Sequence, residues 1–491
     1  MTPIDVPARF SLADLCCDRH PAGATAIVED RGAVVTYGEL RRLSETIAGG
    51  LAARGIGHGD RVAVTLPQGA LCLGAHIGIL RLGAISVPIA GVFGEEARSF
   101  RVADSGAAAY IDSASAAHAL LAAEPWTGAE QMHRDEPAFI FYTSGTTGTP
   151  KGAVLPQRVI HGHVPGFRTV FDDGPQPGDV FWTPSDWSWI GALGEVALPV
   201  AFHGYPLVAT AERFSVAMAY RVMAEHGVTC PFLAPAVIRR MRAEPPADPS
   251  VFRLRAVMTG GEALAPDARE FMEATFGCAL NDIFGQTEAN HLAAGCAARF
   301  DTPPGAIGRP VPGRRVAILD PAGAELPPGS SGEIALSADD PIVMLGYWGR
   351  PDLTARKIVG GWVRLGDRGL LDADGFLHFE GRLDDLIKVS GIQVGAEEVE
   401  AALLGHPAVA EAGVCAVARP DGGGDTVAAF VRLRPGATVD PEELRALVRT
   451  RIGPHAAPRV VEFVDAFPTT SSGKIQRREL RRLYEGGAAV T

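Results

Sequence analysis

The sequence predicts an α/β fold joined to an α+β fold. A large N-terminal domain (residues 1–383) holds parallel-sheet α/β subdomains and a small β-rich subdomain, and a small α+β domain follows (residues 384–491). Three observations carry this. Short β-rich runs alternate with segments of helical spacing over the first 110 residues and again between 227 and 284, the pattern of parallel strands joined by helices. From residue 314 short strands are separated by Pro/Gly turns instead. Beyond residue 384 the chain has its own set of strands and helices, long enough for its own core.

Taken in order, residues 37–54 place Leu40, Leu43, Ile47 and Leu51 on one helical face. RVAVTL (61–66) and AISVPI (84–89) read as strands. Residues 70–92 are the most apolar stretch, but His76, Arg81 and four glycines interrupt it. A membrane span needs about 18 unbroken apolar residues, so this stretch reads as a buried helix followed by a strand. Strands return at 227–233, 253–258 and 278–284. RRVAILD, GEIALSA and GFLHFEG form the β-rich subdomain. In the last module, helices are expected at 395–404 and 441–452 and strands at 408–417 and 426–433.

Composition excludes several classes. With 491 residues, 47% of them hydrophobic and 21% charged, the chain is neither disordered, collagen-like nor a disulfide scaffold. A net charge of −12 disfavours nucleic acid as a partner. The seven cysteines (16, 17, 72, 230, 278, 296, 415) form no CxxC pair and read as reduced, core-filling thiols, which fits the cytoplasm. The start, MTPIDVPARFSLADLCC, is no signal peptide, and the end carries no peroxisomal or lipidation signal.

Of the 45 Lys and Arg residues only four are Lys: Lys151, Lys357, Lys388 and Lys474. Arg supplies the ordinary surface charge. Each Lys is therefore a candidate for a task that needs a compact charge on a flexible stem rather than a planar fork.

The most informative stretch is FYTSGTTGTPKG (141–152), which the apolar AFIFY enters like a strand. In Thr143, Ser144, Gly145, Thr146, Thr147, Gly148 and Thr149, small residues let backbone N–H groups approach an anion, and hydroxyls add donors. Lys151 adds a mobile charge, and magnesium would complete the neutralisation of a triphosphate. The stretch is not a P-loop, because Pro150 precedes the Lys and Gly152 follows it.

YTSGTTGTPKG resembles the signature loop of the adenylate-forming superfamily: AMP-forming acyl-CoA synthetases, peptide-synthetase adenylation domains and luciferases. The resemblance runs from VTYGELRRL (35–43) to SSGKIQRREL (471–480), with several motifs in the family's order. It implies roles for named residues. In DIFGQTE (282–288), Asp282 and Ile283 lie in the nucleotide-binding run, and Phe284 stacks on adenine. Thr287 bonds the α-phosphate and Glu288 holds magnesium. Alone, this run would read as a strand end entering a helix. Gly260, Gly261 and Glu262 resemble the turn that frames adenine and the acyl group. In WVRLGDRG, Asp367 accepts from the ribose hydroxyls, while Leu365 stands where the family usually has Thr. Arg382 also contacts ribose, and Asp384 is the hinge. Lys388, Gly391 and Gln393 form the face that serves the CoA thiol. Lys474 reaches the carboxylate and phosphate during adenylation. Lys357 falls in no motif.

The chemistry so implied is a pair of half-reactions needing ATP, Mg²⁺ and coenzyme A: a carboxylic acid becomes acyl-AMP, then an acyl thioester. No catalytic Ser/His/Asp set is required, so His161, His163 and the cysteines receive no role. DWSWIG (186–191) resembles the D-x-x-W segment of short- and medium-chain acyl-CoA synthetases, which makes Trp187, Trp189, Ile190, Gly191, Gly260 and Gly285 the acyl pocket. In acetyl-CoA synthetases three bulkier groups close a tiny pocket. Here the matching positions are Gly191, Gly260 and Gly285, so a bulky acid is expected: aromatic, medium-chain or polycyclic. Three alternatives stay open. Leu365, and Gln157 where many relatives have His, leave room for a ligase that acts only on a preformed acyl-adenylate. An enzyme that loads a carrier protein is the second, and a non-catalytic nucleotide-binding regulator the third.

Overall fold

The computed structural model describes residues 4–486, apart from 144–149, 263, 265, 384–385, 390–391, 419–424, 455 and 470–474; for 266, 386, 388–389, 392–393 and 425 it describes the backbone only. The chain divides into two compact units. One comprises residues 1–317, 335–365 and 375–377, and the other residues 318–334, 366–374 and 378–491. The second unit thus takes in short segments of the expected β-rich subdomain together with the C-terminal module.

Among the described residues, three larger sheets and the two-stranded pairing of Arg9–Phe10 with Met132–His133 build the first unit. One is five-stranded, in the order Cys230–Pro231, Phe181–Trp182, Leu207–Ala209, Thr25–Glu29, Val34–Thr36, and is parallel up to its last hairpin. A second runs Gly346–Tyr347, Lys151–Pro156, Pro137–Thr143, Ile85–Pro88, Arg61–Val64, Ala109–Ile111. A third places Ala256–Gly260 parallel to Ala279–Gln286, which continues antiparallel to Asn290–Ala294 and then Ala306–Pro310.

Helices form where the apolar spacing placed them. Tyr37–Ala52 starts with a capping box: the Glu39 N–H donates to Thr36 Oγ1, and the Thr36 N–H donates to Glu39 Oε2 at 2.8 Å. It buries Leu40, Ile47 and Leu51. The apolar stretch resolves into the helix Ala70–Arg81 and the strand Ile85–Pro88. Its two polar interruptions are paired inside the protein. Arg81 grips Asp18 with both terminal nitrogens, at 2.9 and 2.6 Å, and His76 Nδ1 meets Ser86 Oγ at 2.8 Å. Burial lowers His76 to about 3, so it is neutral. All seven cysteines are free and buried. No helix among the described residues is long and apolar enough to cross a membrane.

Four strands run in the order Leu377–Arg382, Trp362–Leu371, Gly332–Ser337, Val316–Leu319, and each has residues in both units. Leu386–Val389 and Ile392–Gly395 form a hairpin. Val409–Ala418 is antiparallel to Asp425–Leu433, which is parallel to Val460–Phe463. The helices Ala396–Leu404 and Pro441–Arg451 fill the core with Val399, Leu403, Leu444 and Val448. Glu400 is raised by burial and held by Arg477 at 2.7 Å.

Candidate active site

The expected anion loop joins two antiparallel strands. Pro137–Thr143 is an apolar strand buried at its centre, and Lys151–Pro156 returns beside it with Thr143 opposite Lys151. The loop therefore opens no helix, which sets it apart from a P-loop in structure as in sequence. Thr143 and Lys151 mark its two ends. Ser144, Gly145, Thr146, Thr147 and Gly148 lie outside the described residues. At the opposite end of this hairpin, Gln157 is buried and its amide donates to the Pro137 carbonyl at 3.1 Å. The residue that departs from the family pattern is thus a tether at the hairpin's base.

Asp282, Ile283 and Phe284 lie on the strand Ala279–Gln286, and Thr287 and Glu288 occupy the turn that returns it as Asn290–Ala294. The run does not enter a helix: Gln286 pairs with Asn290 across a three-residue turn, closed by the Ala289 N–H on the Gln286 carbonyl at 3.1 Å. A tight β-turn presents both side chains at a tip, where a helix would carry them around an axis.

Three sequence-distant residues meet at that tip. The short strand Gly346–Tyr347 pairs with Lys151–Pro156. The Tyr347 hydroxyl donates to Glu288 Oε1 at 2.6 Å, and the Lys151 ammonium sits 5.1 Å from the centre of the Tyr347 ring. Tyr347 thus links the cation at the anion loop to the carboxylate on the turn.

The turn that follows Ala256–Gly260 lies at the carboxyl end of two parallel strands, the usual place for a ligand crevice. Gly260 pairs with Ile283 and Thr259 with Asp282. Gly261 has φ +91° and open space around it, and Glu262 is half-buried. Asp282 is buried, and burial raises its carboxyl to about 7 against the opposing pull of the Ile283 N–H at 2.8 Å.

The acyl-pocket residues divide. Trp187 is fully buried in the main core, and Trp189 is half-buried with its ring edge-on to Phe93 at 5.8 Å. Ile190 starts a short helix that widens into a π-helical turn, Leu193–Ala197. A Cβ at Gly191 would meet only the Phe232 ring, at 3.3 Å. Gly260 and Gly285 differ. A Cβ at Gly260 would lie 2.4 Å from Ile283 Cγ1 and 2.8 Å from its carbonyl oxygen. At Gly285 it would lie 1.8 Å from the Asn290 carbonyl oxygen. Both glycines are there because backbones approach closely, so neither opens a pocket by lacking a side chain. Of the three expected openings, Gly191 alone faces a side-chain ring and no backbone atom.

A buried polar cluster lies behind the turn. His163 Nε2 meets Asn290 Oδ1 at 2.7 Å, and the Asn290 amide donates to the Ile342 carbonyl at 3.0 Å. His291 Nδ1 lies 3.7 Å from Glu195 on the π-helical turn, and Arg314 donates to the carbonyls of His291 and Gly162. Burial lowers His163 to about 4, so it is a neutral structural ligand of Asn290.

In the second unit, Asp367 is buried and Arg382 Nη1 lies 3.2 Å from its Oδ1, so the two expected ribose contacts come together. Leu365 on the same strand is fully buried. Lys388 and Gln393 face each other in register across their hairpin. Asp384, Gly391 and Lys474 lie outside the described residues.

Sequence reasoning missed Tyr347 and Gln286. Nothing in the sequence marks Tyr347, whose part depends on strand pairing across nearly two hundred residues. Lys357 was flagged only by rarity. Its ammonium donates to Gln286 Oε1 at 2.9 Å and to the Leu365 carbonyl at 3.0 Å.

Residues 14–348 match the AMP-binding enzyme family, and residues 398–474 match the AMP-binding enzyme C-terminal domain. A fatty acid–acyl-carrier-protein ligase of Streptomyces coeruleorubidus is 31% identical over 505 residues, covering 95% of this chain and 94% of that protein. The acetyl-coenzyme A synthetase of Bacillus subtilis is 30% identical over 488 residues, covering 91% of this chain and 84% of its own. A solved benzoate CoA ligase from Burkholderia xenovorans LB400 matches with a TM-score of 0.87 at 27% identity, over 96% of this chain and 100% of that one.

Proposed function

The chain belongs to the AMP-binding enzyme family, and from that premise we propose that it is an AMP-forming acid–CoA ligase acting on a bulky carboxylic acid. The observation that carries the reading is the Lys151–Tyr347–Glu288 contact, which links a cation beside the anion loop to a carboxylate on the Thr287–Glu288 turn. In the first half-reaction a substrate carboxylate oxygen attacks the α-phosphorus of ATP. The bond from that phosphorus to the bridging oxygen breaks, and pyrophosphate leaves with its electron pair. The protein's work is positioning and charge neutralisation. Thr143, the loop and Lys151 hold the β- and γ-phosphates; Thr287 donates to the α-phosphate. Phe284, Ile283, Gly261 and Glu262 frame adenine, with Asp282 beside them, and Asp367 and Arg382 hold ribose. Glu288 offers one hard carboxylate that would hold a Mg²⁺ ion, and that ion would supply neutralisation of phosphate charge. Lys474 serves the substrate carboxylate.

In the second half-reaction the CoA sulfur attacks the acyl carbonyl, the C–O bond to AMP breaks, and the thiol proton passes to solvent. Asp384 acts as the pivot of the 384–491 domain, so that Lys474 serves the first step and Lys388, Gly391 and Gln393 the second. Support for a bulky acid rests on Gly191 beside Phe232 and on the likeness to a benzoate CoA ligase. A cytoplasmic location completes the reading.

The carrier-protein acceptor has one specific support, the likeness to an acyl-carrier-protein ligase. The reading as a thioesterification-only enzyme rests on Leu365, which is buried on the strand that carries Asp367, and on Gln157, which bonds the Pro137 carbonyl. Mass spectrometry of purified protein with pooled acids, Mg-ATP and CoA tests the proposal. Acyl-CoA of a bulky acid is the expected product. Product only with holo carrier protein moves the assignment to the second reading, and product only from supplied acyl-adenylates overturns the first half-reaction.

A further inference from the structure

Three of the four lysines fall in motifs of the proposed reaction; Lys357 does not. It ends the helix Pro351–Lys357, and its half-buried side chain runs to Gln286, 71 residues away. Three hydrogen bonds close a ring there. Lys357 Nζ donates to Gln286 Oε1 at 2.9 Å and to the Leu365 carbonyl at 3.0 Å, and Gln286 Nε2 donates to the same carbonyl at 2.9 Å.

Gln286 is one foot of the turn that carries Thr287 and Glu288, and Asn290 is the other. The Asn290 foot is fixed from within the core by His163 and the Ile342 carbonyl. The Gln286 foot, half-buried, is fixed by Lys357 and Leu365. The tip is fixed by Tyr347. A three-residue turn held at both feet and at its tip has little freedom left, which is the condition for placing a phosphate contact to within a fraction of an ångström.

We propose that Lys357 is a positioning residue for adenylation, setting the Gln286 foot and through it the Thr287–Glu288 tip. The inference rests on the reading of the preceding subsection. The residue type follows from the geometry. An ammonium sends donors to two converging acceptors from one point and bonds to each with charge assistance, whereas a guanidinium spreads its donors in a plane. In a chain that uses Arg nearly everywhere else, Lys survives at this place.

The test compares wild type, Lys357→Met, Gln286→Leu and the double variant. Arg356→Ala, an exposed neighbour, serves as control. Pyrophosphate release is measured against ATP at saturating acid, with melting temperature and active-site titration alongside. Lys357→Met should lower kcat about 10- to 100-fold, the range for a catalytic contact displaced by up to about 1 Å. KM for ATP should change less than about threefold, because adenine and ribose contacts remain. The double variant should be no worse than the poorer single, since both changes break one ring. A Lys357→Met kcat within about twofold of wild type overturns the inference. So does a loss carried wholly by KM, or one matched by a loss of titratable sites. If wild type itself releases no pyrophosphate with any acid, the adenylation reading fails and this inference fails with it.

Discussion

Replacing Gly285 with Ala decides whether that glycine shapes the acyl pocket or the backbone. The strand Ala279–Gln286 has a bulge between Phe284 and Gly285, and this turns the Cβ direction of residue 285 into its antiparallel partner. The added methyl would lie 1.8 Å from the Asn290 carbonyl oxygen, 2.4 Å from its carbon and 2.6 Å from His291 Cα. All three are backbone atoms, so no rotamer change relieves the clash. Relief to ordinary contact requires the hairpin to open by about 1–2 Å. Overpacking costs typically 1–3 kcal/mol when side chains can yield, and this site belongs at or above the top of that range, at about 3 kcal/mol. The displaced hairpin carries Thr287 and Glu288, and a misplacement of about 1 Å costs on the order of a hundredfold in rate. Pyrophosphate release should therefore fall about a hundredfold for every acid offered, from acetate to octanoate and benzoate, with ratios of kcat/KM among them unchanged within about threefold. Urea unfolding should show the stability loss. A variant of wild-type stability that loses only the larger acids would refute the reasoning and return Gly285 to the pocket wall.

Gly191→Leu is the converse case: a Cβ there meets the Phe232 ring and no backbone atom, so the leucine should reduce kcat/KM for benzoate or octanoate relative to acetate by at least about tenfold, and an unchanged ratio removes Gly191 from the pocket. Tyr347→Phe removes the donor to Glu288 while keeping the ring beside Lys151; a bond to a charged group is worth about 1.5–3 kcal/mol, so adenylation should slow at least about tenfold and need more Mg²⁺, and wild-type rates would break the proposed link. Asp282 holds its proton up to about pH 7 in the fold but only to about pH 4 unfolded, so the native state binds the extra proton between those values and stability from this group falls as pH rises. Asp282→Asn should therefore gain stability over wild type from pH 5 to pH 8, and a constant difference refutes the assignment. His76 and His163, lowered to about 3 and 4, have the opposite sign: the unfolded chain takes their protons first, so stability falls as pH drops below about 6.5, and an Asp282→Asn urea midpoint that stays flat from pH 7 to pH 5 counts against both.

What the sequence made legible follows the range of the interactions. The helix Tyr37–Ala52 could be placed because its apolar face and its end are set by residues within one or two turns. The strand Pro137–Thr143 could be placed because its apolar run leads directly into small and hydroxyl residues. The alternation of parallel strands and helices was visible for the same local reason. The antiparallel return after Glu288 was not, since NHLAA carries no alternation and the turn has no glycine at its tip. Asn290 takes the left-handed position instead, at φ +41°, which Asn tolerates better than most side chains. The absence of a side chain at Gly285 could be read, but the direction in which one would point depends on a bulge that only pairing reveals.

The same distinction separates the two feet of the turn. At Asn290 the fold uses buried neutral groups: His163 is kept uncharged, and its bond to Asn290 gains strength from the apolar surroundings that make an unpaired group costly. No residue type there is rare, so composition could not point to it. Gln286, the last paired residue before the turn, is only half-buried. A neutral bond in that setting contributes about 1 kcal/mol net, whereas a charged donor contributes more and reaches two acceptors at once. The half-exposed foot is therefore where a cation is needed, and a compact one. That need is why the only lysine outside the recognised motifs stands at position 357, and why its rarity pointed to the site before any partner could be named.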